Sequence, residues 1–150
     1  RYPIQLLTPH QRFSFHTAQD GKGGSISDLA DQRVCIDGHY FHIVRIAEDD
    51  ARKRGIAHHE LVRVFNNNGS VICAADVTNR LAAGVAHSYE SSASYQPLGE
   101  PGKSPDIGGC MNILTPNRMQ ADGTVASAGS LCLVEIEKWA GGTNIKEAAE

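Results

Sequence analysis

Leu61-Val62-Arg63-Val64-Phe65-Asn66-Asn67-Asn68-Gly69-Ser70-Val71-Ile72-Cys73-Ala74-Ala75 is the stretch that decides the fold. Two apolar runs flank a break of three asparagines and a glycine. Asn and Gly tolerate positive φ, so the break reads as the turn of a β-hairpin. Strand alternation sets Leu61, Arg63 and Phe65 on one face and Val62 and Val64 on the other. Apart from Arg63, both faces are apolar. That predicts a strand covered on both sides, as in a closed barrel.

Working outward, Ile4–Thr8, Phe41–Ile46 and Leu131–Glu137 also read as strands. The clearest helix is Glu48-Asp49-Asp50-Ala51-Arg52-Lys53-Arg54, with acidic residues first, basic residues last and Gly55 after them. That order complements the helix dipole and supplies a glycine cap. Two stretches lack periodicity, Thr17–Ser27 and Ser88–Gly109, and are expected to be mobile loops. The barrel domain is assigned to residues 1–139 and a flexible tail to 140–150.

The chain has 150 residues, 41% hydrophobic and 21% charged, which suits one soluble globular domain. A net charge of −3 creates no basic field to draw nucleic acid or a membrane surface. Cys35, Cys73, Cys110 and Cys132 are too scattered for a zinc site. Three of them lie in or beside apolar runs, so buried free thiols and a reducing, cytoplasmic compartment are expected. The chain opens on Arg1-Tyr2-Pro3-Ile4 rather than a methionine, as a piece of a longer polypeptide would.

Two polar segments stand out. Thr8-Pro9-His10-Gln11-Arg12-Phe13-Ser14-Phe15-His16-Thr17 gathers two imidazoles, a guanidinium, an amide and three hydroxyls directly after a strand. Such groups hold a phosphate or a polar heterocycle without a metal. From composition alone a solvated turn is the plainer reading. Gly108-Gly109-Cys110-Met111-Asn112-Ile113-Leu114-Thr115 offers glycines that permit close backbone approach and an Asn with both a donor and an acceptor. Its plain alternative is a glycine turn entering a short helix. His58-His59 reads as a turn, since neighbours in a helix or strand do not face one another. His39 and His42, three apart, fall on opposite faces of a strand and read as surface or packing residues. No nucleophile elbow, P-loop or paired carboxylates occur, so no active site assembles from motifs.

Five pieces in order resemble one family: Leu6-Leu7-Thr8-Pro9-His10 with His16-Thr17; Ala51…Arg54-Gly55-Ile56; Val62–Gly69; Asn112-Ile113-Leu114-Thr115; and Leu133–Trp139. Together they look like the C-terminal, molybdopterin dinucleotide-binding domain of the dimethyl sulfoxide reductase family. Phe13-Ser14-Phe15-His16 and Ser88-Tyr89-Glu90-Ser91 are most similar to the branch of pyrogallol–phloroglucinol transhydroxylase large subunits and related catechol dehydroxylases.

The resemblance implies a mainly β fold, a six-stranded double-psi β-barrel with one or two short helices and long loops. It implies a molybdenum- or tungsten-dependent oxidoreductase or transhydroxylase as the parent, and no activity for this chain alone. The cofactor implied is bis(molybdopterin guanine dinucleotide), with the metal held by other domains. Thr8, Pro9, His10, Arg12 and His16 would meet pterin or diphosphate. Asn112 and Thr115 would meet a pterin edge, with Ser127 beside them. Many relatives carry arginine where Ser14 stands, and Arg12 would take that role here. Asn68 stands where relatives carry arginine in the hairpin, so that turn is read as structural. The implied partners are the remaining domains of the same large subunit and an iron–sulfur small subunit; nucleic acid and membrane are not expected. The competing readings are a structural or interaction β-barrel with no small-molecule ligand and a self-sufficient small enzyme. If the two polar segments share one ligand, the fold must bring them to one rim. A far-ultraviolet circular dichroism spectrum should be dominated by β-structure; a helical spectrum would refute the fold assignment.

Overall fold

The computed structural model describes residues 1–12, 29–90, 95–116 and 131–141. His16, Ser127, the stretch 17–27 and residues 142–150 of the expected tail lie outside them. The described strands are β1 (Ile4–Leu7), β2 (Arg33–Ile36), β3 (His39–Ala47), β4 (Leu61–Phe65), β5 (Ser70–Thr78), β6 (Val85–His87) and β7 (Leu131–Lys138). Among the described residues, one α-helix, α1 (Glu48–Arg54), follows β3, and a short 3-10 turn covers Met111–Leu114.

Six strands close into a ring in the order β3-β5-β4-β7-β1-β6, and β6 pairs back onto β3. β2 hangs outside the ring on β3. Two ring neighbours are parallel, β1 with β6 and β3 with β5; the other four pairings are antiparallel. Exchanging β3 with β6, β5 with β1 and β4 with β7 preserves every pairing and its sense. Two interlocked halves of this kind make a six-stranded double-psi β-barrel.

Alternation along the strands builds two cores. Ile4, Leu6, Val44, Ile46, Val62, Val64, Val71, Cys73, Val134 and Ile136 point inward and fill the barrel. Phe41, Ile43, Leu61, Ile72, Ala74 and Ile107 make a second cluster, with Val34, Ile36, Leu98 and Trp139 packed on it. The outer faces of β3, β4 and β5 are thus covered, which is why Leu61–Phe65 reads apolar on both sides.

Helix α1 matches its sequence signature. Gly55 takes the left-handed conformation at φ 64°, and its N–H meets the carbonyls of Ala51 and Arg52. The hairpin after β4 forms at the expected place but by another device. None of its four turn residues has positive φ. Instead the Asn68 N–H donates to the Asn66 side-chain oxygen at 2.8 Å, an Asx-type turn. The turn that does use positive φ is Asp37-Gly38, at 49° and 83°, a two-residue loop joining β2 to β3.

Two expectations need correction. Cys35 is exposed on β2, although Cys73 and Cys132 are buried; all four cysteines are free. His58 and His59 lie in the turn expected of them, where His59 adopts φ 62° and the two rings stack at 3.9 Å. The stretch from Ser88 to Gly109 is not structureless where it is described. β6 leads into it, and Pro97 and Val71 both bridge to Asp106.

Ile46 is fully buried in the barrel, whereas Leu133 is 59% exposed. Ile46→Ala should cost roughly 2–5 kcal/mol of unfolding free energy, and Leu133→Ala should stay within about 0.5 kcal/mol. Urea denaturation of both variants checks the assignment.

Candidate functional site

The ends of the strands decide where the polar segments emerge. Leu7 pairs with both Leu131 and His87, so β1 and β6 end where β7 begins. β4 ends at the hairpin from which β5 starts, and its last residue, Phe65, pairs with Glu135, the residue of that seam nearest the start of β7. β3 begins at this same end, since it runs parallel to β5. The opposite end carries α1, where Asp50 accepts a hydrogen bond from the Gly84 N–H at 2.5 Å.

Thr8–Arg12 leaves from the end of β1. The Ser88 N–H donates to the Leu7 carbonyl at 3.0 Å and the Glu90 N–H to the Pro9 carbonyl at 2.8 Å, so the chain after β6 runs alongside it. Ser88 is buried and its hydroxyl donates to the Ile43 carbonyl at 2.8 Å. His10 pairs through Nδ1 with Glu90 Oε1 at 2.5 Å. Thr8 is buried; Pro9, His10 and Arg12 are exposed.

The second segment reaches the same rim because it is strapped to the start of β5. The Ile72 N–H donates to the Asp106 carbonyl at 2.8 Å, and the Asp106 N–H to the Ser70 carbonyl at 2.9 Å. The Asp106 side chain is fully buried. Its carboxylate takes the N–H groups of Gln96 at 2.7 Å, Gly108 at 3.0 Å and Cys110 at 2.7 Å. Gly109, at φ 83°, lies flat on His42: a Cβ there would sit 2.3 Å from the ring. Met111 and Leu114 then drop into the barrel core. The carboxamide of Asn66 donates to the Leu114 carbonyl at 2.8 Å, and that of Asn68 to the Leu114 and Thr115 carbonyls at 3.2 Å each. The hairpin is thus a clasp on the 3-10 turn, in agreement with its structural reading. Thr115 Oγ1 donates to the Asn112 carbonyl at 2.8 Å, while the Asn112 side chain is exposed.

Both polar segments therefore leave one rim. The two carboxylates they involve, Glu90 and Asp106, are engaged by His10 and by backbone N–H groups. What the rim shows outward is hydroxyl, amide, imidazole and guanidinium, a donor set that fits an anionic, heterocyclic dinucleotide. Among the described residues no group of three or more His, Cys, Asp or Glu can hold a metal ion. No helix among them is long and apolar enough to cross a membrane.

Two polar features belong to no sequence motif. Asp106 precedes Ile107-Gly108-Gly109, a short acid-before-glycine turn signal that could have been read. The other has no local signal. Arg45 on β3 reaches Asp31 Oδ1 at 2.7 Å, Asp76 Oδ2 at 3.3 Å and His87 Nδ1 at 3.0 Å. Its guanidinium lies over the Tyr89 ring at 5.3 Å, and the Tyr89 hydroxyl donates to Asp31 Oδ2 at 2.7 Å. Burial, then the Arg45 charge, holds the His87 pKa below its ordinary value. Burial and the hydrogen bond to Asp31 raise that of Tyr89.

The fold defines a closed double-psi barrel module with a polar rim at its strand ends. Residues 4–129 match the model of the molydopterin dinucleotide binding domain, and the chain belongs to that family. It is 50% identical over 141 residues to the pyrogallol hydroxytransferase large subunit of Pelobacter acidigallici, covering 94% of this chain and 16% of that protein. It is 36% identical over 143 residues to trimethylamine-N-oxide reductase 1 of Escherichia coli O6:H1, again 94% of this chain and 16% of the relative. In structure it is similar to acetylene hydratase from Pelobacter acetylenicus, with a TM-score of 0.59 at 12% identity over 92% of this chain and 18% of that one. The chain thus spans about a sixth of the length of these curated relatives. The family match favours dinucleotide binding over a barrel with no small-molecule ligand.

Asp106→Ala would strand three backbone N–H groups, and buried unsatisfied donors cost about 1–3 kcal/mol each. A loss of about 3 kcal/mol or more is expected in denaturant unfolding. His87, with its depressed pKa, binds fewer protons folded than unfolded, so its contribution is present above about pH 6.5 and is lost as pH falls below that value. Melting curves should show His87→Gln with a shallower loss of stability between pH 7 and pH 5 than the parent chain.

Proposed function

We propose that this chain is the cofactor-gripping domain of a molybdenum- or tungsten-dependent large subunit of the pyrogallol hydroxytransferase type, and that its rim holds one end of a bis(molybdopterin guanine dinucleotide) cofactor. The observation that carries the reading is the convergence of Thr8–Arg12 and Gly108–Thr115 on one end of the barrel. In this assignment Thr8, Pro9, His10, Arg12 and His16 meet pterin or diphosphate, while Asn112, Thr115 and Ser127 meet a pterin edge.

When bound, the cofactor supplies the redox or transfer chemistry of its metal. This chain's residues bind and orient it: hydroxyls and amide read heterocycle edges, and imidazole and guanidinium meet negative charge. The rest of the large subunit supplies the metal's protein ligand and any iron–sulfur ligands, and an iron–sulfur small subunit is the proposed electron partner. The chain alone catalyses nothing and binds the dinucleotide weakly, since part of the contacts poorly offsets the cost of immobilising the ligand.

Asn112→Ala in the full-length large subunit tests the site. Loss of a ligand contact costs about 1–3 kcal/mol of binding, so cofactor content, measured as oxidised pterin released per polypeptide, should fall while the melting temperature of the barrel holds. Unchanged content with a collapsed melting temperature would make Asn112 a structural turn residue.

A further inference from the structure

We propose that Glu90 is a positioning residue for the cofactor, acting through His10; this rests on the rim being the cofactor site. The geometry is local and directional. Glu90 Oε1 lies 2.5 Å from His10 Nδ1, across 80 positions of sequence. A carboxylate only accepts, so Nδ1 carries the hydrogen. The His10 side chain is 68% exposed while that of Glu90 is 19% exposed. The acid is the set member of the pair and the imidazole the presented one. With Nδ1 engaged, any hydrogen bond from the ring to a ligand runs through Nε2, at the far side of the ring. The carboxylate thus selects both the tautomer and the direction in which the ring faces, as carboxylates do for histidines that meet metals or substrates.

Glu90 is itself held by the barrel. Its N–H donates to the Pro9 carbonyl, directly beside His10. Its neighbour Tyr89 is anchored through its hydroxyl to Asp31 and lies under Arg45. Ser88 is locked to the Ile43 carbonyl. Three consecutive residues after β6 are therefore fixed to three different parts of the fold. Such a frame can orient a side chain on another loop, and orientation is what a residue at a ligand site needs from its neighbours.

The test uses the full-length large subunit and follows the rate at which it loses molybdopterin dinucleotide, read by fluorescence of the released, oxidised pterin. Glu90→Ala and His10→Ala should each speed loss about fivefold or more, the equivalent of one hydrogen bond. The double variant should lose cofactor no faster than His10→Ala alone, because one residue acts through the other. Glu90→Gln keeps an acceptor and should stay within about twofold of the parent. Full retention in Glu90→Ala, or effects that multiply in the double variant, overturns the proposal. A second measurement needs no substitution: nitrogen-15 correlation spectra of this 150-residue chain should show His10 with its hydrogen on Nδ1, and a bare Nδ1 overturns it equally. The outcomes separate from the parent reading. A parent subunit without pterin sinks the cofactor assignment, whereas a loaded parent and a depleted His10→Ala beside a fully loaded Glu90→Ala sink Glu90 alone.

Discussion

The ring closes on two residue pairs. Arg45 with His87 and Ile46 with Ala86 are the whole of the register between β3 and β6. Every other seam of the barrel has at least three pairs. If this seam opened, β6 and the second half of β3 would become edges of an open sheet, and unpaired N–H and C=O groups would face solvent or core. The polar network on Arg45 sits on that seam. One guanidinium there ties β3 to β6 through His87, to β5 through Asp76, and to the approach to β2 through Asp31. An ion pair on a surface contributes little, but this one is half-buried and has several partners, so removing one member would leave the others without theirs.

The rim depends on the same seam. β6 has only three residues, and the chain that leaves it carries Ser88, Tyr89 and Glu90 straight to the segment after β1. The other wall of the rim rests on a different device, a buried carboxylate that gathers three backbone N–H groups. Charge-assisted bonds of this kind organise irregular backbone without secondary structure. Both devices place polar side chains at strand ends on a rigid frame, above the apolar cluster that fills the barrel.

Much of this was legible from local pattern. The strands with alternation on a covered sheet, the helix with its dipole-ordered charges and Gly55, and the hairpin at Asn66–Gly69 all announce themselves within a few residues. β2 and β6 did not, because strands of four and three residues carry too little periodicity. Asp37-Gly38 is a readable turn signal and takes positive φ, while the asparagine turn, whose residue types also suit positive φ, forms through side-chain hydrogen bonds instead. At the site, the two polar segments were visible as clusters of residue types. Their partners were not: Glu90 lies 80 positions from His10, and Asp31, Asp76 and His87 meet Arg45 only once the ring exists. Pairings made by closure leave no trace in a sequence window. Residue order against a known family supplied what spacing could not.

The pairing order of the ring also sets a timetable. β1 is flanked by β6 on one side and β7 on the other, so this strand has no barrel partner until residues 85–138 have been made. β3, α1, β4 and β5 form a contiguous half that can pair as it emerges. Strand β1 must instead wait and be threaded between β6 and β7. Contacts of such long sequence separation slow folding, and an apolar strand left waiting is prone to wrong partners. For such a barrel, closure comes with completion: a form truncated before β7 would keep only the short parallel seam with β6 to hold β1.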